Sequence, residues 1–309
     1  MLSRSAQNLY WLGRYLQRAE HVCSMLKLQV ATIADRPHRE VHCGWSLIYN
    51  SLGRRPPLEH ATAEPYDDDD LMFADAYILA DDLTFEADNH NSIYNCIACG
   101  RENARQSRNC ITFAMWACLN RFWLQLKGKD LAKVWQPIPE SYYDDMLGRL
   151  ESFIGTTITT MYRNQAWHFL HLGRILEQAQ QTSSLLLAQQ RLHDYRYGWV
   201  GLLRVFHATS VYHRLYPGKV MAFEITKLLV HDPALPYSLQ SLYLRLKDKI
   251  AILTTATGDS PELTAMLAQL EVNDPAKNAE LNLASYREHL FNLDRLIAKR
   301  WFFYSVDEE

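Results

Sequence analysis

Glycine and proline are scarce in this chain, 12 and 11 residues in 309, so few points are set for tight turns or forced breaks. Long stretches of helical periodicity run between short interruptions at Arg54 to Pro57, Ala63 to Asp70, Gln136 to Pro139, His231 to Pro236 and Thr257 to Pro261. Strands do not alternate with helices, and neither GxxxxGK[ST] nor GxGxxG occurs, so the chain shows no recognisable nucleotide-binding loop of its own. GxSxG and HExxH are missing too, which removes the usual signatures of a serine hydrolase and of a zinc peptidase.

The six cysteines, Cys23, Cys43, Cys96, Cys99, Cys110 and Cys118, all fall in the first half and read as members of helices, not as a disulfide framework. Cys96 and Cys99 have the spacing of a metal or redox pair, and His42 with Cys43 would have to complete a zinc site. A CxxC inside a helical pattern instead sets two small apolar residues on one face, and no second close pair follows, so no metal site is expected. Excess positive charge is also lacking. The net charge is −3 and the run Asp67 to Asp70 is acidic, which argues against general nucleic-acid binding. The start, Met1-Leu2-Ser3-Arg4, leads straight into an amphipathic helix interrupted by Asn8, Arg14 and Arg18. That pattern is neither a signal peptide nor a membrane span, and the expected compartment is the cytoplasm.

What the chain does have is a helix-sized phrase written twice. Leu12-Gly13-Arg14-Tyr15-Leu16-Gln17-Arg18-Ala19-Glu20 returns as Leu172-Gly173-Arg174-Ile175-Leu176-Glu177-Gln178-Ala179-Gln180, an offset of 160 residues that Ser24/Ser184 and Leu26/Leu186 also obey. Leu9, Leu12, Leu16, Ala19, Cys23, Leu26, Val30 and Ile33 alternate spacings of three and four, which is a buried helical seam. Phe169, Leu172, Leu176, Ala179, Ser183 and Leu186 repeat it, and Asn164 is placed to cap the second helix. The predicted fold is an all-α helical bundle of mostly long antiparallel helices, built from two related halves. The first spans 1–160 with a loop-rich insertion near 36–70, the second 161–309, and the two pack as one body.

The opposite face of the first helix also carries apolar residues, with Trp11, Val22 and Met25 recurring beside Arg14 and Arg18. A helix covered on both faces requires partners for its guanidinium groups, whether carboxylates, carbonyls or an anionic ligand. Glu20 and Glu102 are the internal candidates. The other reading has both arginines snorkelling at a wet surface.

A second concentrated segment runs Gly100-Arg101-Glu102-Asn103-Ala104-Arg105-Gln106-Ser107-Arg108, after a cap at Asn91 or Ser92. Arg101, Arg105 and Arg108 share a face, and a planar guanidinium fork suits carboxylate or phosphate. The alternative is a solvated basic face with Glu102 as neighbour. The aromatic residues Trp199, Phe206, Tyr212, Tyr216, Trp301, Phe302, Phe303 and Tyr304 are candidates for a docking face or for core.

Taken together, Asn8 to Glu20, Arg101-Glu102-Asn103-Ala104-Arg105, Met115-Trp116-Ala117-Cys118-Leu119-Asn120 and Ala166 to Arg174 resemble the bacterial alpha-E family, an all-helical group named for a Glu-Arg motif. Leu228-Leu229 to Asp232 and Pro236-Tyr237-Ser238 resemble its third quarter. The resemblance implies association with circularly permuted ATP-grasp proteins, often beside transglutaminase-like peptidases, in systems that form or modify amide bonds in peptides. On that basis the chain is expected to be a subunit of an ATP-dependent carboxylate-amine ligase complex. It would have no cofactor of its own, with ATP and magnesium held by the ATP-grasp partner, and a peptide or amino acid as substrate. The residues expected to bind anionic substrate or intermediate are Arg14, Arg18, Glu20, Arg101, Glu102, Asn103, Arg105, Arg174 and Glu177, with Arg14 and Arg18 near Arg101 and Arg105.

The chain departs from the family pattern at the motif itself. Gln17-Arg18 and Glu177-Gln178 each retain half of a Glu-Arg pair, Gln180 stands where an acid is usual, and His90 replaces a proline. If the two copies fold face to face, Arg18 and Glu177 restore one composite pair. The competing expectation is a non-catalytic helical scaffold whose Arg/Glu network is internal.

Overall fold

A computed structural model of the protein describes residues 1–58, 69–135, 139–192, 195–273 and 281–302; among these are fourteen α-helices and no strand. In chain order they are α1 Ser3–Val30, α2 His38–Leu52, α3 Asp69–Thr84, α4 Ile93–Gln106, α5 Phe113–Leu126, α6 Leu131–Val134 and α7 Pro139–Thr160. They continue with α8 Gln165–Arg191, α9 Arg196–Val205, α10 Thr209–Leu215, α11 Ala222–His231, α12 Leu239–Thr257, α13 Pro261–Gln269 and α14 Leu283–Trp301. The fold is all-α.

The two copies of the repeated phrase are the two longest helices, and they form the centre. α1 packs against α8, with α4 and α7 on its other sides, while α8 also meets α12, α14 and α2. Every residue of the seam from Leu9 to Ile33 is buried, as is every residue of the second seam from Phe169 to Leu186. Neither helix has a plain solvent face, because Arg14, Val22 and Met25 on the opposite side of α1 are buried as well. Capping follows the sequence: the Asn164 side chain accepts from the Ala166 amide at the start of α8, and Ser92 accepts from the Asn95 amide at the start of α4.

The glycines of the phrase explain how closely α1 and α8 cross. A Cβ placed on Gly13 would lie 2.1 Å from the Leu170 carbonyl oxygen, and one placed on Gly173 would lie 2.0 Å from the Tyr10 carbonyl oxygen. No side chain fits at either position. The contact is reciprocal, since Tyr10 and Leu170 stand at the same offset as the glycines. Gly100 of α4 faces Leu12 and Leu16 of α1, which brings a third helix onto the same centre.

Two expectations are corrected. The region near 36–70 is not loop-rich throughout, because α2 occupies His38–Leu52. Val41, Trp45 and Ile48 recur at helical spacing and are buried, and Gln29 of α1 donates to the Val41 carbonyl at 2.8 Å. Residues 59–68 of that stretch, including Asp67, lie outside the described residues, as do 136–138. Six of the aromatic residues considered for a docking face are core residues instead: Phe206, Tyr212, Trp301 and Phe302 are buried, and Trp199 and Tyr216 are half-buried against the core. They are consumed where α9 and α14 close over α8 and α1, with α10 packed on α9. Phe303 and Tyr304 lie outside the described residues.

Candidate functional site: a buried network across the central crossing

Just beyond the two glycines, the polar residues of the phrase meet across the interface. Arg14 Nε donates to Glu177 Oε2 at 2.7 Å, its Nη2 donates to Gln180 Oε1 at 2.6 Å, and its Nη1 donates to Asp294 Oδ2 of α14 at 2.5 Å. Arg18 Nε donates to Glu177 Oε1 at 2.7 Å and its Nη2 to Oε2 at 3.2 Å. The composite Arg18–Glu177 pair anticipated from the split motif is therefore formed. Arg14 is 3 % exposed and Glu177 4 %. The Arg14 guanidinium also lies over the Trp11 ring, 4.8 Å from its centroid.

The same bonds recur with the helices exchanged. Arg174 Nε donates to Gln17 Oε1 at 3.0 Å, Arg174 Nη2 donates to Glu20 Oε2 at 3.3 Å, and Gln178 Nε2 donates to Gln17 Oε1 at 2.9 Å. These are the counterparts, residue by residue at the 160 offset, of Arg14–Glu177, Arg14–Gln180 and Arg18–Glu177. One geometry thus carries two charge patterns. Around Arg14 and Arg18 the acceptors are two carboxylates, Glu177 and Asp294, and the amide of Gln180, while around Arg174 they are the amide of Gln17 and the single carboxylate Glu20. Tyr10 donates to Asp294, and Tyr237 donates to Glu20 at 3.0 Å.

Burial alone would push the Glu177 carboxyl upward, but Arg18 and Arg14 outweigh it and hold the group down at about 2. It remains an ion under any cellular condition. Both of its oxygens are engaged by guanidinium groups, and Gln181 Nε2 adds a longer contact at 3.5 Å. His21, beside Glu177, is pushed down to about 4 by burial, with Glu177 opposing the shift only in part.

The central segment of the chain stands apart from this network. Arg101 Nε donates to Asn120 Oδ1 at 2.8 Å, and the guanidinium groups of Arg101 and Arg108 flank the Trp116 ring at 5.3 and 4.6 Å. Arg105 turns to Glu102, with bonds of 2.8 and 2.6 Å, and both are exposed. Gln106 joins Glu102 and, from α1, Arg4 and Asn8. Arg14 and Arg18 take their partners from α8 and α14, whereas Arg101, Arg105 and Glu102 are satisfied within α4, α5 and the start of α1. The anticipated shared site of Arg14, Arg18, Arg101 and Arg105 is not assembled. Asn103, also a candidate, lies on α4 between these residues.

Sequence reading missed Asp294, Tyr10 and Tyr237 as members of the network. Asp294 directly follows the buried Leu293 on α14, at the edge of the stripe Tyr286, Leu290, Leu293 and Ile297. An acid at such a border is the only signal, and it is a weak one. Cys96 and Cys99 do not approach a metal-ligand arrangement: Cys96 is buried with its thiol pushed up to about 12 by burial, and its Sγ contacts the His90 carbonyl.

A family model described as a predicted alpha-helical domain with a conserved ER motif matches residues 1–302. The chain belongs to the Alpha-E family. In this Alpha-E protein an Arg and a Glu from the two copies of the repeated phrase pair across different helices, Arg18 from α1 and Glu177 from α8. No curated protein and no solved structure matches the chain. Among the described residues, no helix is long and apolar enough to cross a membrane.

Proposed function

We propose that this Alpha-E protein is a non-catalytic helical subunit of an ATP-grasp-dependent amide-bond-forming system, and that its Glu-Arg network is a structural clasp between α1 and α8. One observation carries the second part: all three nitrogens of Arg14 and both oxygens of Glu177 are used by protein partners in a buried interface. A general acid or base needs a protonation equilibrium near the working pH and a path to the substrate. Glu177, held at about 2 and enclosed, has neither.

The ligase context comes from the family resemblance, and it assigns ATP, magnesium and carboxylate activation to a circularly permuted ATP-grasp partner in a heteromeric complex. The six unpaired thiols accord with a reducing, cytoplasmic setting. The enclosure of Arg14 and Glu177 by protein partners also favours a second reading, a scaffold that needs no ligase partner.

Reconstitution separates the two. The chain and an ATP-grasp protein encoded beside it are purified singly and together, then supplied with ATP, magnesium and a peptide mixture, and the products are read by mass spectrometry. The expected result is a peptide mass change with the pair and none with either protein alone. Full activity of the ATP-grasp protein by itself supports the scaffold, and ATP turnover by the Alpha-E chain alone overturns both readings.

A further inference from the structure

The two matched arginines of the polar network differ in the use of one nitrogen, and that difference points outward from the protein. Arg14 places its third nitrogen, Nη1, on Asp294. Its counterpart Arg174 uses Nε for Gln17 and Nη2 for Glu20, while its Nη1 has no partner among the described residues. Where α14 brings a carboxylate to Arg14, α12 brings a second cation, Arg245, toward Arg174. Arg245 is half-buried, its one side-chain bond goes to the Pro236 carbonyl at 3.2 Å, and no carboxylate pairs with it. Burial first and Arg174 next push its guanidinium below the usual arginine range.

The surroundings have the same sign. His171, one turn before Arg174 on α8, is 9 % exposed, and its Nε2 is buried without a hydrogen-bond partner. Its ring rests on Trp167, with centroids 3.8 Å apart, and the Arg163 guanidinium also lies over the Trp167 ring, 3.5 Å from its centroid. Burial and the charges of Arg174, Lys249, Arg245 and Arg163 together hold His171 neutral, pushed down to about 3. The only carboxylates paired in this corner are Glu20, taken by Arg174 and Tyr237, and Asp248, taken by its neighbour Lys249 at 2.6 Å. Four permanent cations therefore face two acids. A neutral imidazole can carry its proton on Nε2 and offer an N–H donor, and the three-residue spacing on α8 sets His171 on the same side of the helix as Arg174.

We infer that Arg174 Nη1, Arg245 and His171 Nε2 form a binding site for a carboxylate, which would take at Arg174 the place that Asp294 holds at Arg14. The ligand class this implies is the terminal carboxylate of a peptide or amino acid. The choice of peptide rests on the ligase reading above, whereas the preference for a carboxylate rests on the network alone. A guanidinium fork suits a planar carboxylate, and at the matched position Asp294 takes one N–H from Arg14 and one O–H from Tyr10, so the crossing already holds a carboxylate between a guanidinium and a second donor.

The test uses the purified chain without ATP or partner, so its outcome is separate from that of the reconstitution. Calorimetric titration with alanyl-alanine is compared with alanyl-alanine amide and with inorganic phosphate, for the wild type, Arg245→Gln and the remote control Arg204→Gln. The dipeptide is expected to bind the wild type and Arg204→Gln, to bind Arg245→Gln at least tenfold more weakly, and to lose binding when its carboxylate is amidated. Equal binding of the amide, tighter binding of phosphate, or unchanged binding by Arg245→Gln overturns the inference. A second variant guards against misfolding: Arg245→Glu supplies the carboxylate from α12 itself and is expected to raise the melting temperature while abolishing dipeptide binding. A lower melting temperature for Arg245→Glu overturns the inference as well.

Discussion

Replacing Gly173 by alanine tests the central crossing most directly, because sequence-level and structural arguments give opposite signs. On helix propensity alone, alanine at a helix interior is worth about 1 kcal/mol over glycine. In the structure the added Cβ would meet the Tyr10 carbonyl oxygen at 2.0 Å and the Tyr10 carbonyl carbon at 2.8 Å, both backbone atoms of a buried helix. Restoring an ordinary contact requires α1 and α8 to part by about 1.4 Å, the gap between 2.0 and 3.4 Å. A shift of that size would stretch the 2.7 Å Arg14–Glu177 and Arg18–Glu177 bonds to roughly 4 Å, outside hydrogen-bonding range.

The expected cost is therefore overpacking, about 1–3 kcal/mol, plus a share of the ~3–5 kcal/mol at stake when a buried ion pair is broken. Even after the propensity gain, Gly173→Ala is expected to lose about 3 kcal/mol or more. Gly13→Ala meets the Leu170 carbonyl at 2.1 Å and should behave alike. Gly148→Ala and Gly155→Ala in α7 are the controls: nothing lies within 4 Å of either added Cβ, and both should stabilise by up to about 1 kcal/mol. Paired thermal and urea melts followed by tryptophan fluorescence read all four variants. Wild-type or higher stability for Gly173→Ala would refute the close crossing and the network geometry that depends on it.

Two further outcomes follow from the buried charges. Glu177→Gln turns an amide N–H₂ toward Arg18 or Arg14, donor against donor, and is expected to lower stability by about 3–5 kcal/mol; a loss under about 1 kcal/mol in a urea melt would place these groups in solvent instead. On acidification, the folded state holds His21 at about 4 and His171 at about 3, both below the ordinary 6.5, so the unfolded chain takes up more protons and stability falls as pH drops below 6.5. Glu177, held at about 2, adds a second loss as pH falls below 4.5. A urea midpoint that stays flat from pH 7 to 4, in wild type and in a His21→Gln, His171→Gln double variant alike, contradicts the burial of these imidazoles.

Much of the centre was legible in the sequence, because the repeated phrase carries three signals that each have a local cause. The three-four spacing of Leu9 to Ile33 and Phe169 to Leu186 gave two helices and their buried seams. The split motif, Arg18 in one copy and Glu177 in the other, gave the pairing once the helices faced each other. The helix α2 was missed because a short apolar pattern, Val41, Trp45 and Ile48, sits between Pro37 and a stretch of polar and proline residues, and its support comes from Gln29 of another helix. The partners Asp294, Tyr237 and Arg245 were not legible either. They reach the network from α14, the turn before α12, and α12 itself, and nothing within those segments distinguishes an acid or arginine at a stripe border from one in solvent. That Arg101 and Arg105 bond to Asn120 and Glu102 and not into the Arg14–Glu177 network was not legible for a related reason: a shared helix face shows which residues lie together, not which neighbouring helix they meet.

The departures at 17, 178 and 180 acquire a physical meaning from the duplicated geometry. With Glu at 17 and Arg at 178, the crossing would bury two complete sets of ions within the same helix pair, and each added ion would carry several kcal/mol of desolvation that only ideal pairing offsets. Gln17 and Gln178 keep the bond between those positions, 2.9 Å from amide nitrogen to amide oxygen, and remove two charges from a site where both residues are under 5 % exposed. The geometry survives with less desolvation. The amide at 17 leaves Arg174 with a neutral acceptor at Nε where Arg14 has a carboxylate; because the two amides remove one charge of each sign, the excess positive charge of the Arg174 corner comes from Arg245 and Arg163, which no carboxylate pairs among the described residues. On this argument the amides at 17 and 178 do not break the network; they leave an ionic half around Glu177, which joins α1 to α8, and a positively charged half around Arg174 and Arg245, where the proposed carboxylate would bind.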